Sequence, residues 1–540
     1  MISARGLRLR AATAVLAIGA VSGCRGCTPS PSVPTSEIVV ACENEIATLD
    51  PAKSQEPYSL RVIGQIFEGL VSLDDRNQIE PALATKWIAN ETFDTWTFEL
   101  RPHVRFQEDD VFGPSRTREV TAADVVASLT RLAAKDSYPS FVLADAVQGV
   151  AEFQAGKARD VAGIRAVTPQ IVEIRLSKPE PTFLHRLTSP WFVVFPAEAV
   201  ALGPDVFGRA RAPGTGPYRL VSRTDSEVVL AANPSWWKGS PKVSTLVFRV
   251  TKNDALRLAQ LRARQINWML VPESLSTSLL AGPSTPAESL GPDVAVDSFP
   301  SFSSHFVGFN CDKLDVHLRR ALSFVIDRWA ITSAVAGHTA VASVGTVPAG
   351  LLGYLPPYSE DLHDESRARA ELAQSTFKPA RDSIELLVHE KDASENVGQI
   401  IQAQAAKIGV RITIKKLEYN TVVGRMISGD TQAFVLALDY VFSAPEPILN
   451  NIFNSAKIPV PNFWHYRSTE VDRRLEDLRG VQDREKANAL ARDIERLVID
   501  DAPAVFLYQG RKVVLRARSV PSVPINGHGI PRFWSAMKAP

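Results

Sequence analysis

At 540 residues the chain exceeds what one hydrophobic core usually organises, so two or three domains are expected. Hydrophobic residues at 45% and charged residues at 22% describe an ordinary soluble globular protein. With 60 basic and 59 acidic side chains dispersed along it, the chain carries a net charge of +1. That balance argues against nucleic acid as the main partner, because phosphate binding needs a basic excess gathered on one face.

The N-terminus begins with a basic stretch, Arg5, Arg8 and Arg10, followed by an alanine-rich apolar run from Ala11 to Ser22. Such a run, between arginines and small residues, reads as a secretory signal too short to span a membrane. In Val21-Ser22-Gly23-Cys24 a cysteine follows two small residues, the form of a lipoprotein signal-peptidase site. Residues 1–23 are therefore expected to be a signal peptide, Cys24 the lipidated residue, and 24–37 a tether. Several acyl chains on one residue would anchor stably where one would not. A plain secretory signal cut near Cys24 is the alternative, and both readings export the protein. Cys27, in the Pro/Ser-rich tether, is expected to be unpaired, while Cys42 and Cys311 could pair in an oxidising compartment. Cys24 and Cys27 form a CxxC, but lipidation removes Cys24 as a ligand, so neither metal nor cofactor is expected. Beyond the signal no apolar run reaches spanning length.

Short runs rich in branched and aromatic residues predict strands at Ile38–Ala41, Trp96–Leu100, Ile171–Leu176, Val228–Ala231 and Leu246–Val250. Further strands are predicted at Ile384–Val388, Val410–Leu417, Ala433–Leu438 and Ala504–Tyr508. Thr121-Ala122-Ala123-Asp124 is a capping box leading into Val125, Leu129 and Leu132 on one helical face. Asp315 caps a helix carrying Leu318, Leu322, Val325 and Ile326, and Ser394 starts another that Gly409 stops. Val471, Leu475 and Leu478 mark a fourth helix, and Leu490, Ile494, Leu497 and Val498 a fifth. Helices and strands interleave throughout, which is α/β. Loops rich in Pro and Gly suggest breaks near residues 205, 300 and 485.

Catalytic motifs are absent: there is no GxSxG, no HExxH and no GxxxxGK[ST]. His389-Glu390 lacks a second histidine four positions on and reads as a strand end. Gly214-Thr215-Gly216 is followed by Pro217 and reads as a turn into the strand Tyr218–Leu220. No catalytic residue is assigned and an enzyme is not expected, although triads assemble from distant residues.

Several segments, in order, resemble the family 5 extracellular solute-binding proteins of ABC importers, the peptide- and nickel-binding group. They are Thr48-Leu49-Asp50-Pro51, Ile66-Phe67-Glu68-Gly69-Leu70-Val71, Pro81-Ala82-Leu83-Ala84 with Trp87, and Thr95–Arg101 before Val104 and Phe106. Val120–Val125 with Ser128 and Arg131 follows, then Gly214–Tyr218, Asn233-Pro234-Ser235-Trp236-Trp237 and Val316–Asp327. The likeness runs from about residue 38 to 515. One departure is the stretch Gln107–Glu119, with acidic Glu108-Asp109-Asp110, where the family has a tight turn. A longer surface hairpin is the expected reading, and a ligand or permease contact the other.

The resemblance implies a two-lobed fold of the type II periplasmic-binding-protein kind, with a hinge and an extra subdomain in lobe one. Lobe one is expected at 38–72, 208–297 and 487–540, the extra subdomain at 73–207, and lobe two at 298–486. The implied function is capture of oligo- or dipeptides between the lobes for delivery to an ABC permease and, through it, ATPase subunits. A nickel chelate, haem, opine or oligosaccharide ligand remains open, as does a sensor or scaffold lipoprotein without transport. A monomer with no cofactor is expected, held on the extracytoplasmic face of a membrane by its lipid.

Peptide-binding members hold the ligand's ammonium with an aspartate at the end of a lobe-two strand, and Asp439 occupies that place after Phe434–Leu438. The alternative for Asp439 is a helix cap or loop carboxylate. Tyr440, Leu436 and Ala437 flank it, with Leu436 where peptide binders often carry tryptophan, and Val441–Ala444 is longer and more apolar than usual. Glu45 is a candidate cleft-facing residue, against a solvated loop carboxylate. Arg425 is a candidate for a ligand carboxylate by its planar fork, against a surface helix arginine. Trp236 and Trp237 read as lobe packing rather than a ligand platform.

Overall fold

The computed structural model describes residues 37–272, 275–351, 353–356, 362–389 and 394–536. The signal segment, Cys24 and Cys27 lie outside the described residues. One sheet of twelve strands runs through the molecule. In chain order these are β1 (Glu37–Cys42), β2 (Tyr218–Arg223), β3 (Glu227–Ala232), β4 (Thr245–Val250), β5 (Trp268–Leu270) and β6 (Val294–Pro300). Then come β7 (Ser303–Phe309), β8 (Ala340–Ala342), β9 (Ile384–His389), β10 (Ile412–Leu417), β11 (Ala433–Asp439) and β12 (Ala504–Ala517). The spatial order is β10-β9-β11-β7-β12-β5-β1-β4-β3-β2, with β6 and β8 also on β12.

The chain is two-lobed because β12 belongs to both halves of this sheet. Its first part, Ala504–Tyr508, pairs antiparallel with β7, and its second, Arg511–Ala517, pairs with β6. The chain thus crosses between lobes twice, at residues 300–303 and again near Gly510. Gly510 permits the close approach there, since a Cβ would stand 2.6 Å from Ser303 Oγ.

Lobe two therefore extends to about residue 508, and the boundary expected at 487 is corrected. The residues near 485 are only a turn between Thr469–Arg479 and α4 (Arg484–Asp501). These two helices pack on each other and on α3 (Pro445–Phe453), all within lobe two.

Local elements follow the apolar patterns. β11 opens with four consecutive buried residues, Ala433–Leu436, as a strand covered on both faces should. β9 and β10 are parallel and are joined through the helix Ser394–Ala406, the crossover that parallel pairing requires. In the second stretch of β12, Arg511, Lys512 and Arg516 interrupt the apolar run, and this hid nine further strand residues (Gln509–Ala517) from a sequence reading.

The extra subdomain is a four-stranded antiparallel sheet with Ala84–Ala89, Thr95–Leu100, Ile171–Arg175 and Ile164–Thr168 side by side. Helix Ala122–Leu132 packs on it and has its capping box formed. Arg131 of this helix donates to both oxygens of buried Asp50 at 2.7 and 2.5 Å. Helix α1 (Pro57–Ile66) ends against Gly214 and Gly216, where any Cβ would collide with the Ile66 carbonyl. Trp236 and Trp237 both donate to the Glu68 carboxylate, at 3.1 and 3.0 Å, so they are packing residues.

Gln107–Glu119 folds back as a hairpin, with Phe106 N on Arg118 O and Asp109 N on Arg116 O. Two of its acids are paired within the protein: Asp109 with Arg211, and Asp110 with Arg116 and Arg211. Cys42 lies in β1 of lobe one and Cys311 just after β7 of lobe two, and both are free thiols. The pairing considered from sequence is therefore not made. Among the described residues no helix is long and apolar enough to cross a membrane.

Asp50 is 2% exposed, so removing its partner strands a buried charge. Arg131→Ala is expected to destabilise lobe one by about 3 kcal/mol in chemical denaturation. A loss below about 1 kcal/mol, the range of exposed ion pairs, would show the fork to be incidental.

Candidate functional site

A cavity of about 720 Å³ lies between the lobes. Lobe one contributes Leu60 and Arg61 of α1, with Tyr138, Phe141, Trp191 and His528. Lobe two contributes Tyr419, the run from Ala437 to Phe442 at the end of β11, Ile452 of α3, and Phe463. Ser301, Phe302 and Lys512, at the two crossings, complete it. Tyr138, Phe141 and Tyr419 are 43%, 50% and 46% exposed, so the cleft presents aromatic surface that the fold leaves uncovered. Apolar walls with a few placed charges are the usual make-up of a small-molecule site.

Most charges in this lining are already committed. Lys457 Nζ of lobe two reaches Asp145 Oδ2 of lobe one at 2.8 Å, a bridge between the lobes. Arg61 donates through Nε to Gly529 O at 3.1 Å and stacks over Tyr58. Asp439 is different: it is exposed at the strand end, opposite Ser303. No hydrogen bond or ion pair engages its carboxylate among the described residues. A carboxylate held in this way is ready for a charge-assisted bond from a cation.

Of the residues expected from sequence, the fold gathers Asp439, Ala437 and Tyr440 on the cavity. Tyr440 stands as a fixed post, its backbone N–H donating to Phe302 O at 2.6 Å and its phenol bonded to Thr346 Oγ1. Burial pushes that phenol above its ordinary range, so it stays neutral. Leu436 points the other way, into the core, and does not line the cavity.

Glu45 is an exposed carboxylate 2.6 Å from Lys252 Nζ, and that hydrogen bond holds it below its ordinary pKa, away from the cleft. Arg425 pairs with Glu385 at 2.6 Å and Asp430 at 3.3 Å, also off the cavity lining. For both, the surface reading replaces the ligand-facing one, because a nearby opposite charge already satisfies each. Sequence reasoning missed Arg61, Tyr138, Trp191, His528 and Lys512, which come from segments far apart in the chain and carry no shared local signal.

The apolar run after Asp439 serves closure. Ser443 Oγ lies 2.7 Å from His185 Nδ1 and 3.1 Å from Thr188 Oγ1, both of lobe one. Phe442 packs under the Arg186 guanidinium at 5.3 Å, and Thr182 Oγ1 donates to Glu446 Oε2 at 3.4 Å. Burial drives His185 and His528 down to about 4, so both are neutral at pH 7. Burial, aided by the neighbouring Glu180 carboxylate, pushes Glu446 up, while Arg186 and Arg479 oppose the shift. Ser443 and His185 have the spacing of a nucleophile and a base, yet Ser443 is 3% exposed and neither lines the cavity. They join the lobes.

Residues 78–459 match the family described as bacterial extracellular solute-binding proteins, family 5, middle region. The chain belongs to this family. Di/tripeptide-binding protein 4 of Pseudomonas aeruginosa is 26% identical over 463 residues, 83% of this chain and 84% of that protein. Heme-binding protein A of Haemophilus influenzae is 24% identical over 462 residues, 81% of this chain and 80% of that protein. Among solved structures, the unliganded open form of the periplasmic murein tripeptide-binding protein MppA superposes with a TM-score of 0.78. That match is 22% identical and covers 94% of this chain and 99% of that one. The family is one of extracellular binding proteins.

In this binding protein a buried acid braces the cleft from behind. Glu495 of α4 accepts from Thr346 N and Val347 N at 2.6 and 2.8 Å, next to the Thr346–Tyr440 contact. Burial pushes its carboxyl from the ordinary 4.5 up to about 8, with the two N–H bonds opposing. The folded protein therefore holds a proton there that the unfolded chain releases near 4.5. The stability it contributes is full below about pH 4.5 and is lost as pH rises through about 8. In thermal unfolding scans, Glu495→Gln is expected to flatten the fall in Tm between these limits. Parallel pH profiles for variant and wild type would exclude Glu495 as the titrating group.

Proposed function

We propose that this protein is the substrate-binding component of an ABC importer that captures short peptides between its lobes and hands them to a permease. The carrying observation is Asp439, an unengaged carboxylate at the end of β11, facing an aromatic cleft between two hinged lobes. In this reading its oxygens accept the ligand's terminal ammonium, and strand-end backbone groups beside it hold the main chain regardless of sequence. A ligand gripped from both sides favours the closed state over the open one, and closure is what a permease can read. The di/tripeptide-binding relative supports peptide as the cargo, and the signal-like N-terminus supports export with a diacylglycerol anchor on Cys24. The protein then works as a tethered monomer on the extracytoplasmic side.

Thermal unfolding against pooled di- to pentapeptides, with haem, nickel–histidine and oligosaccharide pools alongside, tests the cargo. A ligand at a hundred times its Kd stabilises the folded state by about 2.7 kcal/mol, enough to displace the midpoint visibly. Peptides are expected to raise the Tm. Asp439→Asn should leave the unliganded Tm unchanged and weaken binding about 10- to 100-fold, matching the ~1.5–3 kcal/mol of a hydrogen bond to a charged group. A shift by haem alone, or peptide affinity indifferent to Asp439→Asn, would overturn the assignment.

A further inference from the structure

The lobes meet at a second place besides the shared strand. Residues 442–457 of lobe two dock on residues 145–188 of the extra subdomain, away from the crossings at 300–303 and Gly510. Ser443 is the pivot of this seam. Its hydroxyl meets His185 Nδ1 at 2.7 Å and Thr188 Oγ1 at 3.1 Å, and it is 3% exposed. Phe442 lies under the Arg186 guanidinium, Thr182 reaches Glu446, and Lys457 reaches Asp145 at 2.8 Å.

The two sides of the seam are complementary in charge. Asp145, Glu180 and Arg186 carry one net negative charge, whereas Glu446, Lys457 and Arg479 carry one net positive charge. Each side also keeps a pair of its own: Arg186 holds Glu180 at 2.7 Å and Asp145 at 3.2 Å, and Arg479 holds Glu446 at 3.4 Å. Only the Lys457–Asp145 pair crosses. Parting the seam therefore strands no buried carboxylate or guanidinium, the event that makes breaking a buried ion pair so costly. The hydroxyls and the imidazole would trade their mutual bonds for bonds to water, and such an exchange weighs only about two- to tenfold in an equilibrium. Polar contacts of this kind between domains are the separable ones.

We propose that segment 442–446 is a reversible latch by which the extra subdomain holds lobe two, setting the ratio of closed to open protein before any cargo arrives. Ser443 and His185 do not line the cavity, so they are positioning residues that act on closure alone. A ligand that grips the closed state binds more tightly in proportion to the fraction already closed, so the latch scales affinity for every cargo alike. The extra subdomain thereby gains a role in capture although the crossing strands lie elsewhere.

Small-angle X-ray scattering of the cargo-free protein at pH 7 tests the latch. No peptide enters the measurement, so its outcome is independent of the cargo assay. The wild type is compared with Ser443→Ala and with the double variant Thr188→Cys/Ser443→Cys, oxidised with diamide and then reduced, each checked as folded by its unfolding midpoint. The disulfide is expected to form and to give a compact profile that the wild type closely matches. Ser443→Ala should have a larger radius of gyration, its closed-to-open ratio falling about two- to tenfold for each of the two bonds lost. Reduction of the double variant should expand it likewise, which keeps the test alive if Ser443→Ala folds poorly. Failure of the disulfide to form, or a cross-linked profile clearly more compact than the wild type's, overturns the latch because the seam is then open in solution. Profiles that coincide for wild type, Ser443→Ala and reduced double variant overturn it too, because the contact is then packing that never parts.

Discussion

The structure depends on the pairing of one strand. β12 is hydrogen-bonded to β7 in lobe two and to β6 in lobe one, so a single run of fourteen residues is shared by both halves. A ladder of backbone bonds is directional and resists shear, so the lobes cannot slide or twist freely about this axis. The ladder with β7 ends at Tyr508 and that with β6 begins at Arg511, β8 pairing with Tyr508–Gly510 between them, and the cleft lies beside this crossing and the one at residues 301–302. Lys512 sits just past one crossing and Tyr440 is tied to Phe302 in the other, so cavity-lining groups hang from the segments that join the lobes.

Around that axis, charge is used in two ways. Ionic groups near the cleft are neutralised at once, Asp145 by Lys457 and Arg186 and Glu446 by Arg479, as is Glu45 by Lys252 on the surface away from it. Their work is to hold lobes and surface together. Among the described residues Asp439 and Lys512 are left without partners, and both line the same cavity. Desolvating either one against an apolar ligand would be costly. The aromatic walls then supply area without demanding a particular side chain.

The segments that carry the family resemblance turn out to be largely structural. Asp50 is fixed by Arg131, Glu68 collects two indole N–H groups, and Gly214 and Gly216 let a turn press on the end of α1. Each is a contact between parts of lobe one distant in sequence, and none of these residues lines the cavity. The residues that do face the cavity lie elsewhere, on one side of α1 and α3, on loops and at the end of β11.

The sequence by itself determined the elements and the class of fold. Apolar runs, capping residues and turn glycines act within a few residues of one another, so Ala433–Leu438, the capping box at Thr121 and the helix after Asp315 were legible without any tertiary information. Asp439 was singled out through the family resemblance, and the fold leaves its carboxylate exposed on the cavity. Only the tertiary structure decided which charges are free. Glu45, Arg425 and Lys512 look alike along the chain, and what separates them is whether folding brings an opposite charge within about 4 Å, the reach of an ion pair. The same holds for the lobe boundary: Ala504–Ala517 reads as a short strand followed by polar residues, and only pairing with two different partners shows it to be the shared hinge. Local pattern is written in neighbouring residues, whereas neutralisation and pairing depend on residues hundreds of positions apart.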